Sequence, residues 1–320
     1  MTFFDFCSGI GGGRLGLELV GLKNVGFSEI DKSAILTYKS FFDVKKEENL
    51  GDIKKLEAEI LPKFELLIAG FPCQSFSIVG KREGFLNEKN GEIIFYLAKI
   101  LETKKPKYFI LENVKGLISL NQGKNLNEIL NLLDESGYNV EYEVLNSLNF
   151  GLAHSRERVY FIGIRKDLKY KFNFKNLKNY KKTSNLKDFL TFNKNQIFDE
   201  SSPNYETFNR YLNNKYNKSH INLDEILTKN FTVIDTRQSD LRIYENKTPT
   251  IRRDRQGLFY VYNKKMYRLS GLEALNLQGF GKIKNLEKKI KNLKNSDLLK
   301  QSGNAMSVNV IEKIAKEIYG

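Results

Sequence analysis

The chain has 320 residues, with 52 Lys+Arg against 38 Asp+Glu for a formal charge of +14, and it is 41% hydrophobic and 12% aromatic. An apolar fraction this high and this evenly spread excludes a disordered polyelectrolyte, and no stretch approaches the ~20 apolar residues of a membrane span. Two cysteines, Cys7 and Cys73, and two histidines, His154 and His220, supply neither a disulfide framework nor a structural metal site. The opening Met1-Thr2-Phe3-Phe4-Asp5 lacks the basic region and apolar core of a secretory signal, so a cytoplasmic protein is expected. The charge is unevenly placed: residues 1–165 carry 21 Lys+Arg and 22 Asp+Glu, residues 166–320 carry 31 and 16. A neutral half beside a basic half fits a catalytic or small-molecule domain joined to a surface that meets a polyanion; a lysine-rich solvated surface is the simpler alternative.

The first 165 residues alternate apolar runs with helical spacings, the pattern of a doubly wound parallel sheet. In chain order, Phe3-Phe4-Asp5-Phe6-Cys7 predicts a strand running into a glycine turn at 9–13, with helical spacing from Arg14 to Val20. Strands follow at Val25–Ser28, Glu65–Ala69, Tyr108–Leu111 and Arg158–Ile164, and helices at 33–42, 91–104, 124–137 and 304–319. From Lys166 to about Tyr267 the texture turns to Lys, Asn, Tyr and Phe, with short strands expected at 231–236 and 257–262 and a helix, hinge or both over 282–300. Ligands of open α/β sheets bind beyond the carboxyl ends of the strands, where the polar residues of this sequence gather.

Four sites carry chemistry. The turn Cys7-Ser8-Gly9-Ile10-Gly11-Gly12-Gly13 would present backbone N–H groups to a ligand, as turns for nicotinamide, flavin and S-adenosylmethionine (AdoMet) all do. Glu29, closing the next strand, is placed to accept from ribose hydroxyls, and Gly51-Asp52-Ile53 could hold an adenine edge. Gly70-Phe71-Pro72-Cys73-Gln74-Ser75 sets a thiol on a rigid loop after a buried strand, which suits a nucleophile that receives cationic or hydrogen-bonding help. Glu112, in Glu112-Asn113-Val114, supplies an acid, and Arg156 and Arg158, alternating on a strand, would converge on one target or merely pair with Glu157.

Taken together these strings resemble the DNA (cytosine-5)-methyltransferase family, and the type II modification methylases of bacteria in particular. The resemblance runs from Phe3 to Arg165 and returns at Leu272-Glu273-Ala274, Leu277-Gln278-Gly279-Phe280 and Gln301-Ser302-Gly303-Asn304-Ala305. It implies a Rossmann-like AdoMet-dependent sheet with an inserted, partly β target-recognition domain. The catalytic domain would comprise 1–170 and 296–320, the recognition domain 171–281 and a hinge 282–295. It further implies that Cys73 attacks C6 of a flipped-out cytosine, that Glu112 contacts N3, and that Arg156 and Arg158 support O2 and the thiolate region. AdoMet, without a metal, would lie on Cys7, Gly9, Ile10, Gly12, Glu29, Ile30, Asp52, Ile53, Pro72, Asn304 and Ala305. Duplex DNA would be met by Gln74, Ser75, Arg237, Arg242, Arg252, Arg253 and Arg255, by a monomer whose cognate restriction endonuclease acts separately. A catalytically inactive DNA-binding relative and an RNA methyltransferase are the competing readings; intact Cys73 and Glu112 speak against the first and the large basic insertion against the second. The sequence departs from the family pattern at Cys7, where Phe is usual, and at His154, where Gln is usual. The Pro-Arg that commonly precedes the Leu272-Glu273-Ala274 string is absent.

Overall fold

A computed structural model of the protein describes residues 1–42, 44, 48–72, 93–213, 215, 217, 220–237, 241–253 and 257–319. The chain forms two compact units, one of residues 1–145, 157–180 and 306–320, the other of 146–156 and 181–305. Among the described residues no helix is long and apolar enough to cross a membrane.

The first unit is built on β1 (Thr2–Phe6), α1 (Gly12–Glu18), β2 (Lys23–Ser28), α2 (Lys32–Phe41), β3 (Leu66–Gly70), α3 (Ile93–Lys104), β4 (Tyr108–Val114), α4 (Lys124–Glu135) and β5 (Tyr138–Asn146). After the two-residue β6 (His154–Ser155), which belongs to the second unit, come β7 (Glu157–Arg165) and α5 (Lys175–Asn179). The strands join in the order β2-β1-β3-β4-β7-β5, with β1 parallel to β2 and β3, β3 parallel to β4, and β7 antiparallel to β4. Near-continuous apolar runs such as Leu66-Leu67-Ile68-Ala69 are what a sheet covered on both faces requires. One face packs Phe4, Phe6, Leu67, Ala69, Phe109, Leu111 and Phe161 beneath Leu97, Leu101, Ile129 and Leu133 of α3 and α4.

The second unit holds a four-stranded antiparallel sheet. Its elements are α6 (Tyr205–Leu212), α7 (Leu223–Leu227), β8 (Thr232–Asp235), β9 (Arg242–Glu245), β10 (Thr248–Pro249), β11 (Leu258–Tyr262), β12 (Lys265–Arg268), α8 (Gly271–Leu277), α9 (Leu286–Ile290) and α10 (Asn295–Asn304), in strand order β12-β11-β8-β9, with β10 pairing β6 separately. Alternate residues feed two cores, Val233, Leu258 and Tyr260 on one side and Ile234, Phe259 and Val261 on the other. Ser270 and Glu273 cap α8 reciprocally.

Some expectations shift by a few residues, and one changes in kind. Glu112 lies within β4, which runs on to Val114, rather than beyond it. The helix expected over 304–319 is α11 (Val308–Tyr319); Gly303 and Asn304 instead finish α10, and Ala305 is its C-cap. Residues 305–307 therefore form a joint between two helices, because α10 packs on α8 in the second unit while α11 packs on α1 in the first. The segment 282–300, for which a helix, a hinge or both were expected, contains the helix α9, anchored by buried Leu286 and Ile290.

Candidate active site

The turn after β1 is tight because its neighbours crowd it. A Cβ at Gly12 would lie 2.4 Å from the Met306 carbonyl oxygen, and one at Gly11 2.3 Å from Phe42 Cε2. These two glycines are required by packing of the chain on itself. Gly9 shares a positive φ (+55°) with Gly11 (+82°) but differs in its surroundings: nothing lies within 4 Å of where its Cβ would be, and its N–H donates to Glu29 Oε2 at 2.7 Å. The other Glu29 oxygen accepts from the N–H groups of Ile30 and Asp31, both at 2.8 Å. The carboxylate thus ties the turn to the end of β2 and is held there by three backbone donors. Ile30, next to it, is 69% exposed. Asp52 accepts from Lys54 N–H at 3.0 Å, whereas Ile53 and Ile10 are buried in the core.

Cys7 takes φ +49° and its thiol is pushed up to about 12, chiefly by burial and further by the charges of Glu29, Asp5 and Asp52. It is a protonated, weakly polar wall of this turn and no nucleophile. Below it, burial pushes the Asp5 carboxyl up to about 8, with Arg14 opposing the shift. Arg14 itself is buried, pairs with Glu18 at 2.7 Å and lies over the Phe42 ring at 4.4 Å.

At the ends of β3 and β4, Arg158 Nε lies 3.1 Å from Glu112 Oε1, with side chains 13% and 9% exposed. Asn113, buried beside Glu112, donates from Nδ2 to the Phe71 carbonyl at 3.0 Å, and its own Oδ1 accepts from Val114 N–H at 2.8 Å. Asn113 therefore pins the peptide just before exposed Pro72. An acid, a guanidinium and the Phe71-Pro72 segment that follows β3 share one end of the sheet.

The C-5 cytosine-specific DNA methylase family model matches residues 1–320. The type II methyltransferase M.Bsp6I of Bacillus sp. (strain RFL6) is 33% identical over 323 aligned positions that cover 98% of this chain and 96% of that protein. The chain belongs to the C-5 cytosine-specific DNA methylase family. The orphan methyltransferase M.SPRI of Bacillus phage SPR is 44% identical over 163 residues, a match spanning 50% of this chain but 37% of the phage protein. The structure of S. pombe Dnmt2 methyltransferase superposes with a TM-score of 0.70 at 17% identity, covering 100% of this chain and 98% of that one, so the methyltransferase fold is shared.

The strand breaks at Arg156: β6 ends at Ser155 and β7 begins at Glu157, which leaves Arg156 in the second unit and Arg158 in the first. Arg158 meets Glu112, whereas buried Arg156 donates to the carbonyl oxygens of Gly303 at 3.0 Å and Ala305 at 2.9 Å. Gln278 donates to the neighbouring Ser302 carbonyl at 2.6 Å, so two side chains hold the 302–305 backbone. Ala305 is buried and Asn304 exposed, and both belong to the second unit. His154 accepts the Ile251 N–H at Nε2, 3.0 Å away, which places the ring proton of the neutral imidazole on Nδ1.

Arg237 corrects an expectation outright. Its guanidinium forms a two-point pair with Asp235 at 2.8 and 2.9 Å, and donates to the Thr250 carbonyl at 2.9 Å, in side chains 1% and 2% exposed. A guanidinium so buried and so occupied is structural and does not face a polyanion. Arg242, Arg252 and Arg253 are exposed as a DNA contact requires. Cys73, Gln74, Ser75 and Arg255 lie outside the described residues. Sequence reasoning assigned no role to Asn113, Gln278 or Glu273, although all three stand in the quoted strings. Glu273, fully buried, accepts from Thr191, Gln196, Tyr260 and Ser270 and unites the second unit's core.

Proposed function

We propose that this protein methylates C5 of cytosine in duplex DNA with AdoMet as the methyl donor, at a sequence chosen by its second unit, and that it protects host DNA in a restriction-modification system. The observation that carries the chemistry is the Glu112–Arg158 pair at the sheet end where Pro72 follows β3, one residue before Cys73 in the sequence. The residues around Gly9 suit a nucleoside: an open approach to backbone at Gly9, a fixed carboxylate at Glu29 and an exposed aliphatic side chain at Ile30. Gly9, Glu29, Ile30 and Asp52 would hold AdoMet, which when bound supplies an electrophilic methyl group.

C5 of cytosine is too poor a nucleophile unaided, and the protein's side chains remedy this. The Cys73 thiolate bonds to C6, the C5–C6 double bond shifts its electrons toward N3, and N3 takes up a proton shared with the Glu112 carboxyl, which takes it back when the ring is restored. Arg158 holds the Glu112 carboxylate in place and faces the O2 side of the ring. C5, made nucleophilic, would take the methyl group as its bond to the AdoMet sulfur breaks and S-adenosylhomocysteine leaves; the C5 proton then passes to a base and the Cys73–C6 bond breaks, restoring the aromatic ring and the thiolate. A base stacked in duplex cannot present both faces to a thiol and a methyl donor, so the cytosine leaves the helix. Arg242, Arg252, Arg253 and Arg255 supply phosphate and base contacts for the recognition unit, formed by 181–305 with 146–156. Bisulfite sequencing of DNA incubated with the protein and AdoMet tests the reading: protection of one cytosine in a recurrent sequence is expected, and uniform conversion would refute it.

A further inference from the structure

Asn49 lies outside every string that the family resemblance uses, two residues before Gly51-Asp52-Ile53. Its side-chain amide makes three hydrogen bonds. Oδ1 accepts from the Glu29 N–H and from the Gly51 N–H, each at 3.0 Å, and Nδ2 donates to the Glu29 carbonyl at 3.0 Å. Toward Glu29 the side chain thus behaves as a peptide unit would, pairing with both the N–H and the C=O of one residue. Around it, Leu50 N–H donates to the Phe27 carbonyl at 2.9 Å, Phe27 and Asn49 form an isolated parallel bridge, and Ser28 Oγ donates to the Gly51 carbonyl at 2.7 Å. The backbone pairing of β2 ends at Ser28, and Asn49 extends it by one residue, to the one whose carboxylate grips Gly9. The same atom, Oδ1, also orients the peptide that leads into Asp52.

We propose that Asn49 is the positioning residue of the nucleoside site: it sets the register between Glu29 and Asp52 and so fixes the carboxylate that receives the ribose 2′- and 3′-hydroxyls. The inference rests on the reading of this unit as AdoMet-binding. An amide is the residue type the place demands. It offers an acceptor and a donor to the two groups of one peptide, and it adds no charge beside Glu29 and Asp52, which Asp would, while Ser or Thr could not span both groups. Free Glu29 backbone would sample other ψ values at the strand end, and binding would then have to order it, a loss felt in affinity rather than in the chemical step.

The test uses the full-length protein and S-adenosylhomocysteine, measured by titration calorimetry, beside its 2′,3′-dideoxy analogue. Asn49→Ala is expected to weaken S-adenosylhomocysteine about tenfold, the loss of one to two net hydrogen bonds, and to raise KM for AdoMet similarly while kcat at saturating AdoMet changes less than twofold. The dideoxy analogue, lacking the hydroxyls, is expected to bind wild type and Asn49→Ala within twofold of each other. In a Glu29→Gln background Asn49→Ala is expected to add little, since both act on one contact. Asn49→Asp, which keeps the two bonds into Oδ1, serves should the alanine variant not fold, and is expected to lie between the two. Equal losses for both ligands, or a full tenfold loss in the Glu29→Gln background, would make Asn49 a general scaffold and overturn the proposal. If the wild type does not bind S-adenosylhomocysteine at all, the AdoMet reading itself fails, and the proposal with it.

Discussion

Arg237→Ala separates a structural arginine from a DNA-reading one. Wild-type Arg237 gives Asp235 two charge-assisted hydrogen bonds in side chains 1% and 2% exposed, and a third to the Thr250 carbonyl. Truncation leaves the Asp235 carboxylate buried, with the residue-237 backbone N–H at 3.0 Å as a remaining donor. Breaking one side of a buried pair costs about 3–5 kcal/mol, which for a unit of this size lowers the melting temperature by on the order of 10 °C. Replacing both partners with apolar residues, Asp235→Leu with Arg237→Met, is expected to return most of that loss because no buried charge remains. The assay pairs thermal and urea melts with DNA affinity measured across salt concentrations. An exposed phosphate contact behaves oppositely: stability moves by less than about 0.5 kcal/mol and the salt slope falls by roughly 0.9 per contact. Arg252→Gln with Arg253→Gln is expected to show that second pattern. The reasoning is refuted if Arg237→Ala melts like wild type and flattens the salt slope.

Other perturbations address the first unit. Cys73→Ser is expected to abolish methyl transfer while leaving S-adenosylhomocysteine and DNA affinity intact, and wild type is expected to form a denaturant-stable adduct on duplexes with 5-fluorocytosine at the target; absence of the adduct argues against the covalent route. Asp5 is protonated in the folded state up to about pH 8 but ionised in the unfolded chain above its ordinary 3.8. Its contribution to stability is therefore full below about pH 4 and is lost as pH rises through 8. Urea melts from pH 5 to 9 are expected to show that decline and Asp5→Asn to remove it; parallel curves would place the titration elsewhere. Gly12→Ala drives a methyl to 2.4 Å from the Met306 carbonyl and is expected to cost about 1–3 kcal/mol. Gly9→Ala, strained at φ +55° but facing open space, is expected to cost about 1 kcal/mol while raising KM for AdoMet; equal melting losses at the two sites would deny the distinction.

Much of the site was legible in the sequence for a local reason. Strand alternation places Glu29 at the end of β2, and Pro72 just past β3, within a residue or two of where the apolar runs stop, so that the acids and the thiol could be put at one end of a sheet. The break at Arg156 was not legible. Alternation along a continuous strand puts 156 and 158 on one face, but the strand is interrupted, and the hydrogen bonds that hold Arg156 reach residues 303 and 305, far along the chain.

What the sequence by itself determined is the parallel core of the sheet, the order of its polar strand ends, the family, and the concentration of positive charge after residue 165; that β7 runs antiparallel to β4 was not among these. These follow from periodicities of a few residues and from strings of fixed type. Only the tertiary structure decided which polar side chains are spent inside the protein. Arg237 was indistinguishable from Arg252 until one proved buried against Asp235 and the other exposed. Likewise Asn49 and Asn113 looked like ordinary loop and strand residues until each met a backbone 20 and 42 residues away. The physical reason is the same in each case: a buried polar group must be satisfied, and the partner that satisfies it is set by packing between elements that no local pattern relates.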